Sequence, residues 1–207
     1  MVEPHILEAR ARYKPAAPID HAYDSRLRWP YGGDYITWCD VGPQHFSDRF
    51  APDYTPMRMM EMGIFCDAYW SGPCGNERRA MLPQNKPFTR NGPQEGDRTA
   101  RRSTRNGARK LNYHGKPASL DRDWWLSKGL IYTWDPLGWF EWYCWYYLGR
   151  RIGTYDDWQI QRWRSFKERH LRQYFNNSSP GQAQALLHWA VEPKAQGLVL
   201  PPELAGP

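Results

Sequence analysis

Apolar and polar positions alternate with helical spacing mainly in the C-terminal half of this chain. The densest run lies between Trp139 and Leu148, where nine of ten positions are aromatic, apolar or Cys and Glu141 is the single charge. A helix apolar on nearly every side belongs at the centre of a fold. Asp135 as N-cap, Pro136 at the first helical position and Gly149 beyond the end bracket it as a helix over 136–148. Asp156 followed by Gln159 fits a capping box for the next helix, 157–174. That helix carries Ile160, Trp163, Phe166 and Tyr174 on one stripe, with Arg162, Arg164, Lys167, Arg169 and Arg172 mostly on its other faces. Ser119 opens a helix near 120–128 ahead of Gly129. Ser179, Pro180 and Gln182 open a last one near 180–191, stopped before Pro193.

The first half reads differently. Prolines punctuate residues 1–53, with a short helix expected over Ile6 to Tyr13 and a short strand over Tyr35 to Cys39. Thr55 and Pro56 start a short helix that Gly63 stops, with Met57, Met60 and Ile64 facing inward. Residues 71–118 are rich in Gly, Pro and Asn and show almost no periodicity, so they read as loop. The organisation expected is an extended arm (1–53), a short helix plus basic loop (54–118), a helical core (119–192) and an irregular tail (193–207). The fold class is mainly α, with an irregular, Pro- and Gly-rich N-terminal half wrapping a compact helical core.

Composition sharpens this picture. The 207 residues suit one domain. Twelve Trp and thirteen Tyr are far above ordinary usage, and large aromatics serve small cores and interfaces alike. The net charge is +6, from 28 Lys plus Arg against 22 Asp plus Glu, and most of the cations are Arg. Arginine favours phosphate and carboxylate partners through its planar fork, although a GC-rich genome produces the same bias. The cations are also clustered. Residues 98–116 hold Arg98, Arg101, Arg102, Arg105, Arg109, Lys110 and Lys116 and no acid. Such a block is either a solvated loop or an arm for phosphate.

Four cysteines at 39, 66, 74 and 144 form no CxxC pair. Cys39, His45, Cys66 and Cys74 do not follow a recognised zinc pattern, so no metal and no other cofactor is expected. No secretory signal stands at the start and no apolar run spans a bilayer, which points to an intracellular, reducing setting and away from a membrane. There is no phosphate-binding GxxxxGK[ST] loop, no GxSxG elbow and no HExxH.

The candidate chemistry gathers around the aromatic helix. Glu141 either pairs with Arg150, Arg151 or Arg162, or stays a carboxyl of raised pKa lining a pocket. Arg150 and Arg151 follow a helix C-terminus, where one cation satisfies the dipole. The second, beside a wall of Trp and Tyr, suits a fork for phosphate or carboxylate. Asp156 and Asp157 either cap the next helix or place a general base, Asp157, beside the same wall.

The run Asp135-Pro136-x-Gly138-Trp139-Phe140-x-Trp142-Tyr143-Cys144-x-Tyr146-Tyr147-x-Gly149-Arg150-Arg151, followed by Asp157 and Gln159-Ile160-x-Arg162-Trp163, resembles a signature of uncharacterised proteins from fungi, algae and microbial or viral genomes. Met62-Gly63-Ile64-Phe65 and Lys128-Gly129-Leu130-Ile131, with Trp124 or Trp125, are similar to weaker upstream parts. The resemblance implies a shared helical fold and no activity.

Two functions are compatible with these residues. One is a nucleic-acid-associated binding or assembly protein, which contacts DNA or RNA through Arg101, Arg102, Arg105, Arg109, Arg150, Arg151 and Arg162, or takes protein partners in a larger complex. The other is an enzyme acting on a nucleobase or nucleotide, with Glu141 or Asp157 as acid or base. The missing catalytic motifs favour the first.

Overall fold

The computed structural model describes residues 2–16, 36–40, 49–65, 69–70, 72–84, 101–105, 108–116 and 122–193, with 101–105 and 108–111 described by their backbone. His45, Cys66, Arg98, Ser119 and the tail beyond 193 lie outside them. The fold is mainly helical. Helix α1 spans Pro4–Arg12 and is followed by strand β1 (Thr37–Trp38), α2 (Pro56–Glu61) and α3 (Gly72–Met81). A hairpin of β2 (Arg101–Arg105) and β3 (Ala108–Asn112) precedes α4 (Arg122–Ser127). The core elements are α5 (Trp139–Tyr147), the short β4 (Arg150–Arg151), the long α6 (Gly153–Asn176) and α7 (Pro180–His188).

Every residue of α5 is buried. Helix α2 lies against it, α6 packs on both α5 and α7, and α1 lies against α3. Strands β1 and β4 pair antiparallel, with Thr37 opposite Arg151 and Trp38 opposite Arg150. The N-terminal segments do cover the core, and they also enter it. Phe50 is fully buried, and its ring meets Trp142, Tyr143, Tyr146 and Trp163 edge-on at centroid distances of 5.0–5.5 Å. Edge-to-face contacts of this kind favour aromatic pairs beyond the area they bury.

Local caps follow the sequence where they are local. The Thr55 hydroxyl accepts from the Arg58 N–H, and the Ser179 hydroxyl accepts from the Gln182 N–H. Met60 and Ile64 are buried as expected, while Met59 is fully buried and Met57 only half-buried.

Other expectations are corrected. Asp135 does not cap α5. The helix starts at Trp139 with Gly138 as N-cap, and the Tyr69 hydroxyl accepts from the Glu141 N–H in the first turn. Asp156 is not an N-cap either. Helix α6 begins earlier, at Gly153, and Asp156 reaches back to accept the Ile152 N–H at 2.6 Å. Its other oxygen accepts the Trp142 indole N–H at 2.8 Å.

The stretch read as loop contains a helix, α3, and a hairpin. The glycines of α3 misled the reading for a packing reason: a Cβ at Gly75 would stand 2.5 Å from the Trp70 carbonyl carbon. A glycine there permits close approach of two backbones. Gly149 combines both uses of the residue. Its φ of +94° is unfavourable to other residues, and a Cβ there would overlap the Cys39 carbonyl and the Arg10 guanidinium. Among the described residues no helix is long and apolar enough to cross a membrane.

Trp142 has no exposed surface and bonds to Asp156, so its loss opens a cavity and strips a buried carboxylate of a donor. Trp142→Ala is expected to destabilise the chain by about 3–5 kcal/mol, a large share of the roughly 5–15 kcal/mol typical of a domain. Urea unfolding followed by circular dichroism measures this. A cost below about 1 kcal/mol would place Trp142 outside the core.

Candidate functional site

Among the described residues two ion pairs lie inside the protein. Arg150 forks onto Asp135, with Nη1 to Oδ1 at 2.8 Å and Nη2 to Oδ2 at 2.5 Å, and both side chains are 0% exposed. Glu141, also 0% exposed, accepts from Arg78 Nε through Oε1 and from the Leu137 N–H through Oε2 at 2.9 Å. Tyr13 joins the pairs. Its ring lies beneath both guanidiniums, 4.9 Å from Arg150 Cζ and 5.2 Å from Arg78 Cζ. Its hydroxyl accepts from Arg150 Nη1 at 2.7 Å and donates to the Trp134 carbonyl at 2.8 Å. Arg78 completes its fork with the carbonyls of Lys14 and Trp134.

From Asp135 a hydrogen-bonded chain runs outward. Tyr155 Oη donates to Oδ2 at 3.1 Å, Gln159 Nε2 donates to Tyr155 Oη at 2.9 Å, and Arg162 Nη1 donates to Gln159 Oε1 at 2.9 Å. Helix α6, strand β4, the segment between α4 and α5 and, through Tyr13, the end of α1 all meet on this chain.

Burial sets the protonation of these groups. It pushes the Glu141 carboxyl up to about 7, against the pull of Arg78 and the Leu137 N–H. For Arg150 burial opposes the charge, but Asp135, Tyr13 and Asp156 together outweigh it and hold the guanidinium above its ordinary value. Burial likewise opposes the charge of Arg78, and Glu141, Tyr13 and Asp135 together outweigh it. Burial also raises the Asp156 carboxyl.

The sequence-predicted site residues are thus scattered among different surroundings. The partner of Glu141 is Arg78, not Arg150, Arg151 or Arg162. Arg150 does form a planar fork, but the carboxylate it grips is internal. Arg151 lies over the Tyr146 ring at 3.7 Å and donates to the carbonyls of Tyr146 and Arg150, each at 2.7 Å. The cation on the last carbonyl of α5 is Arg10, whose Nε and Nη2 reach the Leu148 carbonyl at 2.9 and 2.6 Å. Asp157 stands at the surface, 3.6 Å from Arg49. Arg162 is half-buried between the rings of Trp158 and Trp189. Arg101, Arg102, Arg105 and Arg109 all fall on the two strands of the β2–β3 hairpin, with Arg102 opposite Leu111 and Arg109 opposite Thr104.

Sequence reasoning missed Arg78, Tyr13 and Arg10. No local pattern marks them, because their partners are 63, 137 and 138 residues away in the chain.

Acid–base work requires a group within reach of a substrate proton. Both oxygens of Glu141 are occupied by protein donors and neither is exposed. Among the described residues no group of three His, Cys, Asp or Glu side chains is arranged to hold a metal. Cys39, Cys74 and Cys144 are free thiols. Comparison of the chain with family models, curated proteins and solved structures gives no match.

Two outcomes follow from the ion pairs. Arg150→Lys keeps the charge but loses the fork on a buried carboxylate, and is expected to cost on the order of 2–4 kcal/mol. Arg151→Lys, at a partly exposed position, is expected to cost about 1 kcal/mol or less. Equal thermal shifts in the two variants would contradict the assignment.

The second outcome concerns pH. The folded Glu141 carboxyl titrates near 7, against 4.5 for the free side chain, so between these values the folded state holds a proton that the unfolded chain has released. Its contribution to stability therefore falls as pH rises from about 4.5 to 7 and is flat above. His188 works in the opposite sense. Burial pushes its imidazole down to about 4 from 6.5, which adds stability as pH rises through that window. Glu141→Gln is expected to lower stability throughout but to remove the first component, leaving a steeper rise with pH between 4.5 and 7. Urea midpoints over a pH series test this, and parallel curves for the two proteins would show a carboxyl that stays ionised.

Proposed function

We propose that this protein is a nucleic-acid-associated binding or assembly protein that holds phosphate backbone through its basic hairpin. The observation that carries the reading is the hairpin itself. Arg101, Arg102, Arg105, Arg109 and Lys110 lie on two paired strands without an acidic residue. Like charges crowded on one ribbon repel, and a polyanion relieves that repulsion by releasing its own counter-ions.

The root of the hairpin is fixed to the helical body. Asn112, at the end of β3, is buried, and its side chain closes the following turn through the Lys116 backbone. The His114 N–H donates to Gln184 Oε1 at 2.8 Å, and Gln184 Nε2 donates to the Ile64 carbonyl at 2.7 Å. A cationic ribbon on a rigid root suits a backbone-positioning contact, which fixes register on a nucleic acid without reading sequence.

The closed pairing of Glu141 with Arg78 and of Asp135 with Arg150 also supports a binder over an enzyme, because the core carboxylates are spent on the fold. The free thiols at Cys39, Cys74 and Cys144 support a reducing, intracellular setting.

Replacing Arg101, Arg102, Arg105 and Arg109 together by Ala is expected to weaken binding to duplex and single-stranded nucleic acid regardless of sequence. It should also flatten the dependence of log K on log salt by roughly 0.7–0.9 for each phosphate contact removed. Stability should be nearly unchanged. Fluorescence anisotropy at several salt concentrations measures both quantities, and an unchanged affinity and slope would remove the hairpin from the interface.

A further inference from the structure

Half-buried Arg162 has no carboxylate partner among the described residues. The hydrogen-bonded chain Arg150–Asp135–Tyr155–Gln159–Arg162 holds two guanidiniums and one carboxylate, and that carboxylate is gripped by Arg150. At the outer end Arg162 uses Nη1 alone. It donates to Gln159 Oε1 at 2.9 Å and to the Leu130 carbonyl at 3.1 Å, both neutral acceptors. Nε and Nη2 have no acceptor among the described residues.

These two nitrogens form an edge of the guanidinium that can fork onto an oxyanion with two parallel hydrogen bonds. The Trp158 ring lies 4.5 Å and the Trp189 ring 5.6 Å from Cζ, so indoles flank the cation. Tyr155 and Tyr132 pack against Trp158, and Phe166 stacks on Trp189 at 4.6 Å, which holds both walls in place. Burial lowers the guanidinium pKa to about 10, against a smaller upward pull from Tyr155. A desolvated cation without an anion is costly to keep. Arg78 and Arg150 answer that cost with Glu141 and Asp135; Arg162 does not.

We propose that Arg162 is the seat of an anionic ligand, a phosphate oxyanion that docks on the Nε–Nη2 edge between Trp158 and Trp189. Phosphate fits better than a lone carboxylate on charge grounds. Beyond Arg162 the helix carries Arg164, Lys167, Arg169 and Arg172 against the single acid Glu168, a net positive field that favours the more highly charged anion, while Arg164 itself lies on another face from Arg162. The flanking rings are already packed against protein rings, so the ligand is recognised through its phosphate. That phosphate belongs to a nucleic-acid backbone or to a free nucleotide. Only the choice between these sources rests on the nucleic-acid reading above.

The experiment uses the full chain and inorganic phosphate. Phenylglyoxal modification of each arginine is followed by peptide mass spectrometry, in phosphate and in sodium chloride of equal ionic strength and pH. Phosphate is expected to slow modification of Arg162 about tenfold near saturation while leaving the exposed Arg164 unchanged. In parallel, phosphate should raise the thermal midpoint by a few degrees, roughly what ligation at many times Kd gives. Acetate should do neither. Arg162→Gln should abolish the thermal response. If that variant does not fold, the labelling of the native chain decides alone.

Equal modification of Arg162 in phosphate and chloride overturns the proposal, as does equal protection by acetate. A nucleoside monophosphate and a short oligonucleotide, run as further arms, identify the source by which protects at lower concentration. The hairpin variant separates the two readings. It should keep phosphate protection at Arg162 while losing nucleic-acid affinity, so either site can fail without the other.

Discussion

Helix α5 has no solvent face, and the rest of the fold answers to that constraint. A helix buried on every side must be covered on every side, and its one acid and both its ends must find partners inside the protein. Arg78 from α3 neutralises Glu141, Tyr69 caps the first turn, and Arg10 with Arg151 takes carbonyls of the last. Elements far apart in the chain are thereby drawn to one centre. The aromatic residues make this possible, because their large flat sides fill the space around the helix; some polar tips still reach an acceptor, as Trp142 does with Asp156 and Tyr143 with the Tyr54 carbonyl, while the indole N–H groups of Trp70, Trp139 and Trp145 have none among the described residues.

The buried charges specify arrangement more than they add stability. Breaking either pair leaves an uncompensated charge in the core, whereas a hydrophobic replacement of both partners could be nearly neutral. What the pairs select is geometry. Tyr13 lies beneath both Arg78 and Arg150, so the end of α1 must lie where the two pairs meet. The same chain of polar groups continues to Arg162 and brings a cation from the core to a half-buried place on α6. Fold and candidate chemistry are therefore not separate layers.

Much of the architecture was legible in the sequence because it is local. Thr55 and Ser179 bond to backbone three residues on, so their caps needed no knowledge of the fold. The full burial of 139–148 follows from a run with one charge in ten. The stripe of α6 put Ile160 and Trp163 in the core for the same reason. The clustering of cations before residue 117 was equally plain, although their arrangement as paired strands was not, since five-residue runs such as RRSTR carry no apolar alternation.

The sequence by itself determined α1, α2 and the helices of the C-terminal half, which of them lies at the centre, and that the chain carries an acid-free basic block. Tertiary structure alone decided what each charged residue does. Asp135 has the neighbours of an N-cap yet serves as the counter-ion of Arg150, and α3 reads as loop because Gly75 must let Trp70 approach. Glu141 found its partner 63 residues away. The physical reason is range. Capping and periodicity are settled within a turn or two of chain, while a buried charge takes whichever opposite charge the packing brings within about 3 Å, and sequence spacing holds no record of that distance.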